Sequence, residues 1–194
     1  MRVVVRTPSR LHLGFLDLVG DLSRVYGGIG VAIDHPSVVL EARRHETLEV
    51  HGERSELVEE TASRFLRHHG IRDGVRMDVR QTIPEHVGLG SGTQLSLATA
   101  ISLARLFAVD ATVRETASML GRGVFSGVGV AAFEKGGFIV EAGHRTRGGS
   151  PDETVHQEIP LVVGRYPFPE DWAFVAAIPG GGRGLREDEE SPLL

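Results

Sequence analysis

The sequence predicts an α+β fold, a mostly antiparallel sheet packed on helices. Three observations predict it. Short segments alternate apolar and polar residues, as antiparallel strands with one wet face do, and Val75–Ile83 is the clearest of them. A helix from about Thr93 to Phe107 is apolar nearly all round, so it belongs in the centre of the core. A glycine-rich loop joins that strand directly to that helix. The 194 residues, 41% hydrophobic and 24% charged, suffice for a packed core and exclude a disordered chain. A formal charge of −5 excludes a basic field for sequence-independent nucleic-acid binding. With no cysteine there is no disulfide framework, thiolate zinc site or thiol nucleophile. No run approaches the ~20 apolar residues that span a bilayer. The start of the chain has too short an apolar run for a signal peptide, so the expected location is cytoplasmic. Only one of the 21 basic residues, Lys135, is a lysine, so chemistry that needs a lysine has one candidate.

The elements follow in order. Val3-Val4-Val5 begins a strand that Thr7-Pro8-Ser9 interrupts. Arg10–Leu16 then alternates, with Leu11, Leu13 and Phe15 on one face and Arg10, His12 and Gly14 on the other. That second face offers a cation, an imidazole and bare backbone side by side, although an edge strand with a wet face gives the same pattern. Asp17 stands at its end. The glycines of Tyr26-Gly27-Gly28-Ile29-Gly30 suggest a tight turn, or a place where another molecule approaches the backbone. Val38–Ala42 and Thr47–Val50 read as two strands. Ser55 is placed to cap a helix through about His69, stopped by Gly70. Its last-turn histidines, His68 and His69, suit the helix dipole better than a metal.

The loop Ile83–Gln94 carries the chemistry. Gly88, Gly90 and Gly92 alternate between strand and helix, so backbone N–H groups at the helix N-terminus can approach an anion, with Ser91 and Thr93 adding hydroxyls. A plain strand-to-helix connection gives the same spacing. It is not a Walker loop, because Gly-Lys-[Ser/Thr] is absent. The alternating strand before it argues against a Rossmann loop. Ser91 is one place too late for a Gly-x-Ser-x-Gly nucleophile. Thr112-Val113-Arg114-Glu115 is a capping box for a short helix ending at Gly121. Residues 121–133 form a second glycine-rich stretch holding Arg122 and Ser126, and Gly136-Gly137 turns into a strand at Phe138–Glu141. Residues 143–158 read as an exposed loop, and Asp171–Pro179 as a last strand with Trp172 at its rim.

Pro84-x-x-x-Gly88-Leu89-Gly90-Ser91 resembles the phosphate-binding motif of the GHMP kinase superfamily. Four blocks are more specific: Pro8–Phe15, Tyr26–Gly30, Gly88–Gln94 and Gly121–Gly129, the last running on through Ala132-Phe133 to Val140. Together they resemble the β-ribofuranosylaminobenzene 5′-phosphate synthase family from residue 3 to about 142. The resemblance implies a ribosomal-protein-S5-domain-2-like N-terminal domain over 1–179, with 180–194 the start of an absent or truncated ferredoxin-like domain. It implies condensation of 4-aminobenzoate with 5-phosphoribosyl 1-pyrophosphate, releasing carbon dioxide and pyrophosphate, in tetrahydromethanopterin biosynthesis. It also implies Mg2+ on the pyrophosphate, metal ligands unassigned beyond Asp17, and a homodimer or a separate C-terminal chain as partner.

On that reading Gly88, Leu89, Gly90, Ser91, Gly92 and Thr93 bind phosphate. Gly27, Gly28, Arg122 and Ser126 bind substrate. Arg10 pairs with a carboxylate or phosphate, His12 relays a proton during rearomatisation, and Asp17 is a metal ligand or orienter. Many kinases of the superfamily carry Pro-Ser-Gly-x-Asp where this chain has Phe125-Ser126-Gly127-Val128-Gly129, so a glycine stands in place of their base. Two alternatives remain open: a small-molecule kinase binding ATP, and a non-catalytic phosphate-ligand-binding fragment or subunit.

Overall fold

The structure, a computed structural model, describes residues 1–20, 23–146 and 158–178. Its element order is β1 (Arg2–Asp17), β2 (Arg24–His45), β3 (Glu49–His51), α1 (Ser55–His68), β4 (Gly74–Gln81), α2 (Ser91–Phe107), α3 (Val113–Met119), α4 (Val128–Lys135), β5 (Phe138–Glu141), β6 (His144–Arg145) and β7 (Val162–Tyr166). One path through the sheet runs β3-β4-β2-β5-β7, and β1 and β6 also pair with β2. Every pairing is antiparallel except β3 with β4. The α+β expectation therefore holds.

β2 organises the sheet. Its 22 residues pair with β1 along almost their whole length, with β5 over Gly28–Val31 and with β4 over Val39–His45. The predicted turn at Tyr26–Gly30 is thus mid-strand. The glycines are explained by close approach instead: a Cβ on Gly30 would stand 2.4 Å from Val128 Cγ1 of α4. The predicted break at Thr7-Pro8-Ser9 is a register shift within a continuous β1. A second shift lies between His12 and Gly14. It swaps faces beyond His12, so Phe15 lies against the His12 ring at 4.9 Å between centroids, and Leu13 is left exposed. The expected grouping of Leu11, Leu13 and Phe15 on one face is corrected accordingly.

The main core lies between the sheet and α1 and α2, with Leu40, Phe65, Met77, Leu95 and Leu103 fully buried. Helix α1 ends at His68, with Gly70 in the left-handed region just beyond its cap, but it starts on Arg54, also left-handed, so Ser55 is its first helical residue and not its cap. The capping box is present: Thr112 Oγ1 accepts the Glu115 N–H, and the Glu115 side chain accepts the Thr112 N–H.

Helix α4 and strand β7 were not legible in the sequence. Val-Gly-Val is a poor helix opening by propensity, and burial of Val128, Val130 and Ala131 overrides it. The expected strand at 171–179 is absent over 172–178, where no element among the described residues pairs with it, and Pro179 lies outside them. Trp172 packs beside Phe168 there, at 6.0 Å. The expected loop at 143–158 contains β6, with His144 buried; residues 147–157 are outside the described residues, as is the 179/180 boundary.

Candidate functional site

Helix α2 begins on Gly90, in the left-handed region (φ 71°), with no side-chain cap. The first N–H groups of an α-helix have no intrahelical carbonyl to bond, and here Gly90 has no side chain to offer one. The N-terminal dipole of a buried helix therefore opens onto the loop of Gly88 (φ 75°) and Gly90. Ser91, Gly92 and Thr93 form the first turn, two residues earlier than the sequence suggests for the helix start.

Three arginines surround this point. Arg10 runs along the loop: its backbone N–H bonds Leu89 O at 3.1 Å and its Nη1 bonds Gly88 O at 3.3 Å. A Cβ on Gly90 would stand 2.8 Å from Arg10 Cγ, so the loop lies flat against that side chain. Arg122 bonds Ser96 Oγ at 3.3 Å, and its Nη1 lies 3.7 Å from where a Cβ on Gly92 would be. Arg54 pairs with Glu85 at 2.7 Å. Burial lowers the Arg54 pKa, Glu85 opposes this, and the neighbouring Arg122 charge adds to it, so two guanidiniums crowd one end of the loop. An anion placed there would relieve that repulsion.

Gln94, fully buried on α2, clamps the site together. It accepts from Thr7 Oγ1 on β1 and donates to Gly129 O on α4 at 2.8 Å. The strand carrying Arg10 and His12 is thereby fixed to both helices.

His12 reaches the second glycine-rich stretch. Its Nε2 lies 3.2 Å from Ser126 Oγ, and Ser126 Oγ donates to Glu141 Oε1 at 3.2 Å. Burial, then the Arg10 charge, lowers the His12 pKa to about 4, so the imidazole is neutral at pH 7. Burial pushes the Glu141 carboxyl up, against the N–H groups of Gly143 and Gly127 that hold it down. Phe15, Tyr26 and Phe125 continue from His12 as a chain of rings at 4.9, 5.8 and 6.2 Å.

The site therefore joins the loop at 88–93, Arg10, His12, Arg122 and Ser126 around one end of α2 and α4. Gly28 lies under Ser126 and Glu141: a Cβ there would come within 2.8 Å of Glu141 Oε1. Gly27 (φ 60°) packs against Leu16. Asp17 is five residues beyond His12 and closes a turn, its Oδ1 accepting from Val19 N at 2.8 Å and Gly20 N at 2.9 Å. Among the described residues no three His, Asp or Glu side chains are grouped to hold a metal. Magnesium carried on substrate phosphates needs only one or two carboxylates, and Glu85, three residues before Gly88, is the nearest along the chain to the loop before α2.

Sequence reasoning missed Arg54, Gln94 and Glu141. A glutamine inside an otherwise apolar helix was a readable signal, since a buried amide needs partners. Glu141 ends an apolar strand and gave a weaker one. Nothing in the sequence brought Arg54 to the loop.

Residues 56–137 match the family model described as GHMP kinases N terminal domain. The chain is 41% identical over 192 residues to the beta-ribofuranosylphenol 5′-phosphate synthase of Methanothermobacter thermautotrophicus, covering 92% of this chain and 58% of that protein. It is 38% identical over 180 residues to the protein of the same name in Archaeoglobus fulgidus, covering 90% and 56%. The chain thus spans less than two thirds of the length of these relatives. The crystal structure of the Streptococcus pneumoniae phosphomevalonate kinase superposes with a TM-score of 0.58 at 15% identity, covering 75% of this chain and 49% of that one, which shows the shared fold. Among the described residues no helix is long and apolar enough to cross a membrane.

Proposed function

We propose that this chain, whose residues 56–137 match the GHMP kinases N terminal domain model, serves a phosphoribosyl transfer to an aromatic acid. The observation that carries the reading is the uncapped start of α2 ringed by Arg10, Arg54 and Arg122. A diphosphate leaving a ribosyl carbon gathers negative charge as the bond breaks, and fixed N–H groups and guanidiniums stabilise charge of that kind. Gly88, Leu89, Gly90, Ser91, Gly92 and Thr93 hold the diphosphate, with Arg122 beside them. A magnesium ion bound with the diphosphate would offset part of its charge. Arg10, between the loop and His12, suits the carboxylate of the acceptor or a phosphate.

The aromatic ring lies against Phe15 and Phe125, with Ser126 at its edge. The carbon bearing the carboxylate attacks the ribosyl carbon as the bond to pyrophosphate breaks. The carboxylate then leaves as carbon dioxide and its electron pair restores the ring. No ring proton is lost, so the proton that His12 accepts and returns is that of the para substituent. The relatives are named for a phenol product, which fits a para hydroxyl; 4-aminobenzoate presents a para amine to the same chemistry. A neutral His12 is the form able to take that proton.

A kinase of the kind that uses an aspartate base would need it where Gly129 stands, which lowers that reading without removing it. A binding subunit that pairs with a separate C-terminal chain is favoured by one observation: Leu161, Val163 and Tyr166, at β7, are 60%, 65% and 62% exposed. The test is release of label from carboxyl-labelled 4-hydroxybenzoate and 4-aminobenzoate with magnesium and 5-phosphoribosyl 1-pyrophosphate. Labelled carbon dioxide that requires the ribosyl donor is expected. ATP consumption with an alcohol acceptor would support the kinase, and saturable binding without turnover the subunit.

A further inference from the structure

Glu141 is fully buried at the end of β5 and receives three donors. Its Oε2 accepts from Gly143 N–H at 2.7 Å, and its Oε1 from Gly127 N–H at 3.3 Å and from the Ser126 hydroxyl at 3.2 Å. Ser126 Oγ in turn accepts from Val128 N–H at 3.3 Å and lies 3.2 Å from His12 Nε2. A hydroxyl has one proton and two lone pairs. Here the proton goes to the carboxylate and one lone pair to Val128. Only a lone pair remains for the imidazole, so the ring nitrogen must bring the proton.

We propose that Glu141 is a positioning residue that acts through Ser126 to hold His12 with its proton on Nε2, leaving Nδ1 as the nitrogen able to accept one. Gly28 belongs to the same device. A side chain there would collide with both Glu141 Oε1, at 2.8 Å, and Ser126 Oγ, at 3.1 Å. The glycine in mid-strand is what lets the chain His12–Ser126–Glu141 pass over β2. Burial of Glu141 poses the opposite case: a protonated carboxyl would donate to Ser126, Ser126 would donate to Nε2, and the His12 proton would sit on Nδ1. The proposal rests on the reading in which His12 takes a proton from the acceptor, but its test does not need turnover.

The experiment is nitrogen NMR of the full chain labelled on its histidine rings, at neutral pH, with the His12 signals identified by their loss in His12→Asn. A proton on Nε2 is expected, and a proton on Nδ1 overturns the proposal. In Glu141→Gln the amide can donate to Ser126, which frees the hydroxyl to donate to Nε2 and moves the ring proton to Nδ1. Ser126→Ala uncouples the two and gives a mixture. Unchanged tautomers in both folded variants overturn the proposal, and the wild-type spectrum decides if neither folds. A shifted tautomer in Glu141→Gln should accompany a fall of about a hundred-fold in kcat. Full turnover beside a shifted tautomer supports the positioning role and rejects the catalytic reading of His12.

Discussion

Arg10 and His12, two residues apart on β1, act against each other electrically. Burial and the guanidinium together keep the imidazole neutral, with a pKa of about 4. An anion seated on Arg10 cancels the second of these causes and leaves the first. Pyrophosphate should therefore raise the His12 pKa from about 4 towards, but not to, its ordinary value near 6.5, as read by NMR titration with and without the ligand. An unchanged pKa under saturating pyrophosphate would contradict an anion on Arg10. The pairing of these two residues was legible in the sequence, because strand alternation puts i and i+2 on one face. Their connection to Ser126 and Glu141 was not, since those residues lie more than a hundred positions away. The bulge after His12, which turns Phe15 onto the same side, also leaves no local signature.

The decisive element is β2, where glycines substitute for a turn that never forms. Gly28 and Gly30 lower the strand surface so that α4 can rest directly on it, and the start of α4 carries Ser126 to His12. In the sequence these glycines suggest a turn or the approach of another molecule, and what approaches them is the chain's own α4. Helix α4 itself was hidden by its Val-Gly-Val opening, while the box at Thr112 and the glycine loop before α2 were legible because capping chemistry is local. Gly30→Ala puts a methyl group 2.4 Å from Val128 Cγ1 and 2.7 Å from Leu11 O. It should lower stability by about 1–3 kcal/mol by overpacking, measured as a fall in the urea midpoint. It should also lift Ser126 from His12 and change the His12 ring signals. A variant with wild-type midpoint and signals would contradict the account of how α4 is seated.

At the scale of the whole molecule, the same buried imidazole links folding to pH. The unfolded chain protonates His12 near pH 6.5, whereas the folded chain refuses the proton until about pH 4. Between those limits the unfolded state binds more protons, so stability rises with pH from about 4 to about 6.5. Glu141 acts with the opposite sign: its raised pKa lets the folded state keep a proton longer, so its contribution declines as pH rises above about 4.5. Glu41, held down by its bond from Arg2, acts below that window. Urea midpoints across pH 4 to 6.5 should climb less steeply in His12→Asn than in the wild type, and parallel curves would contradict a buried neutral His12.

The central claim is that the start of α2 is the phosphate site, and amide NMR during a pyrophosphate titration tests it most directly. The N–H signals of Gly88, Leu89, Gly90, Ser91, Gly92 and Thr93 should move together and saturate. Saturable movement confined to another surface, such as the cleft of about 510 Å³ lined by Arg6, Asp34 and His35, with those six signals fixed, would contradict it.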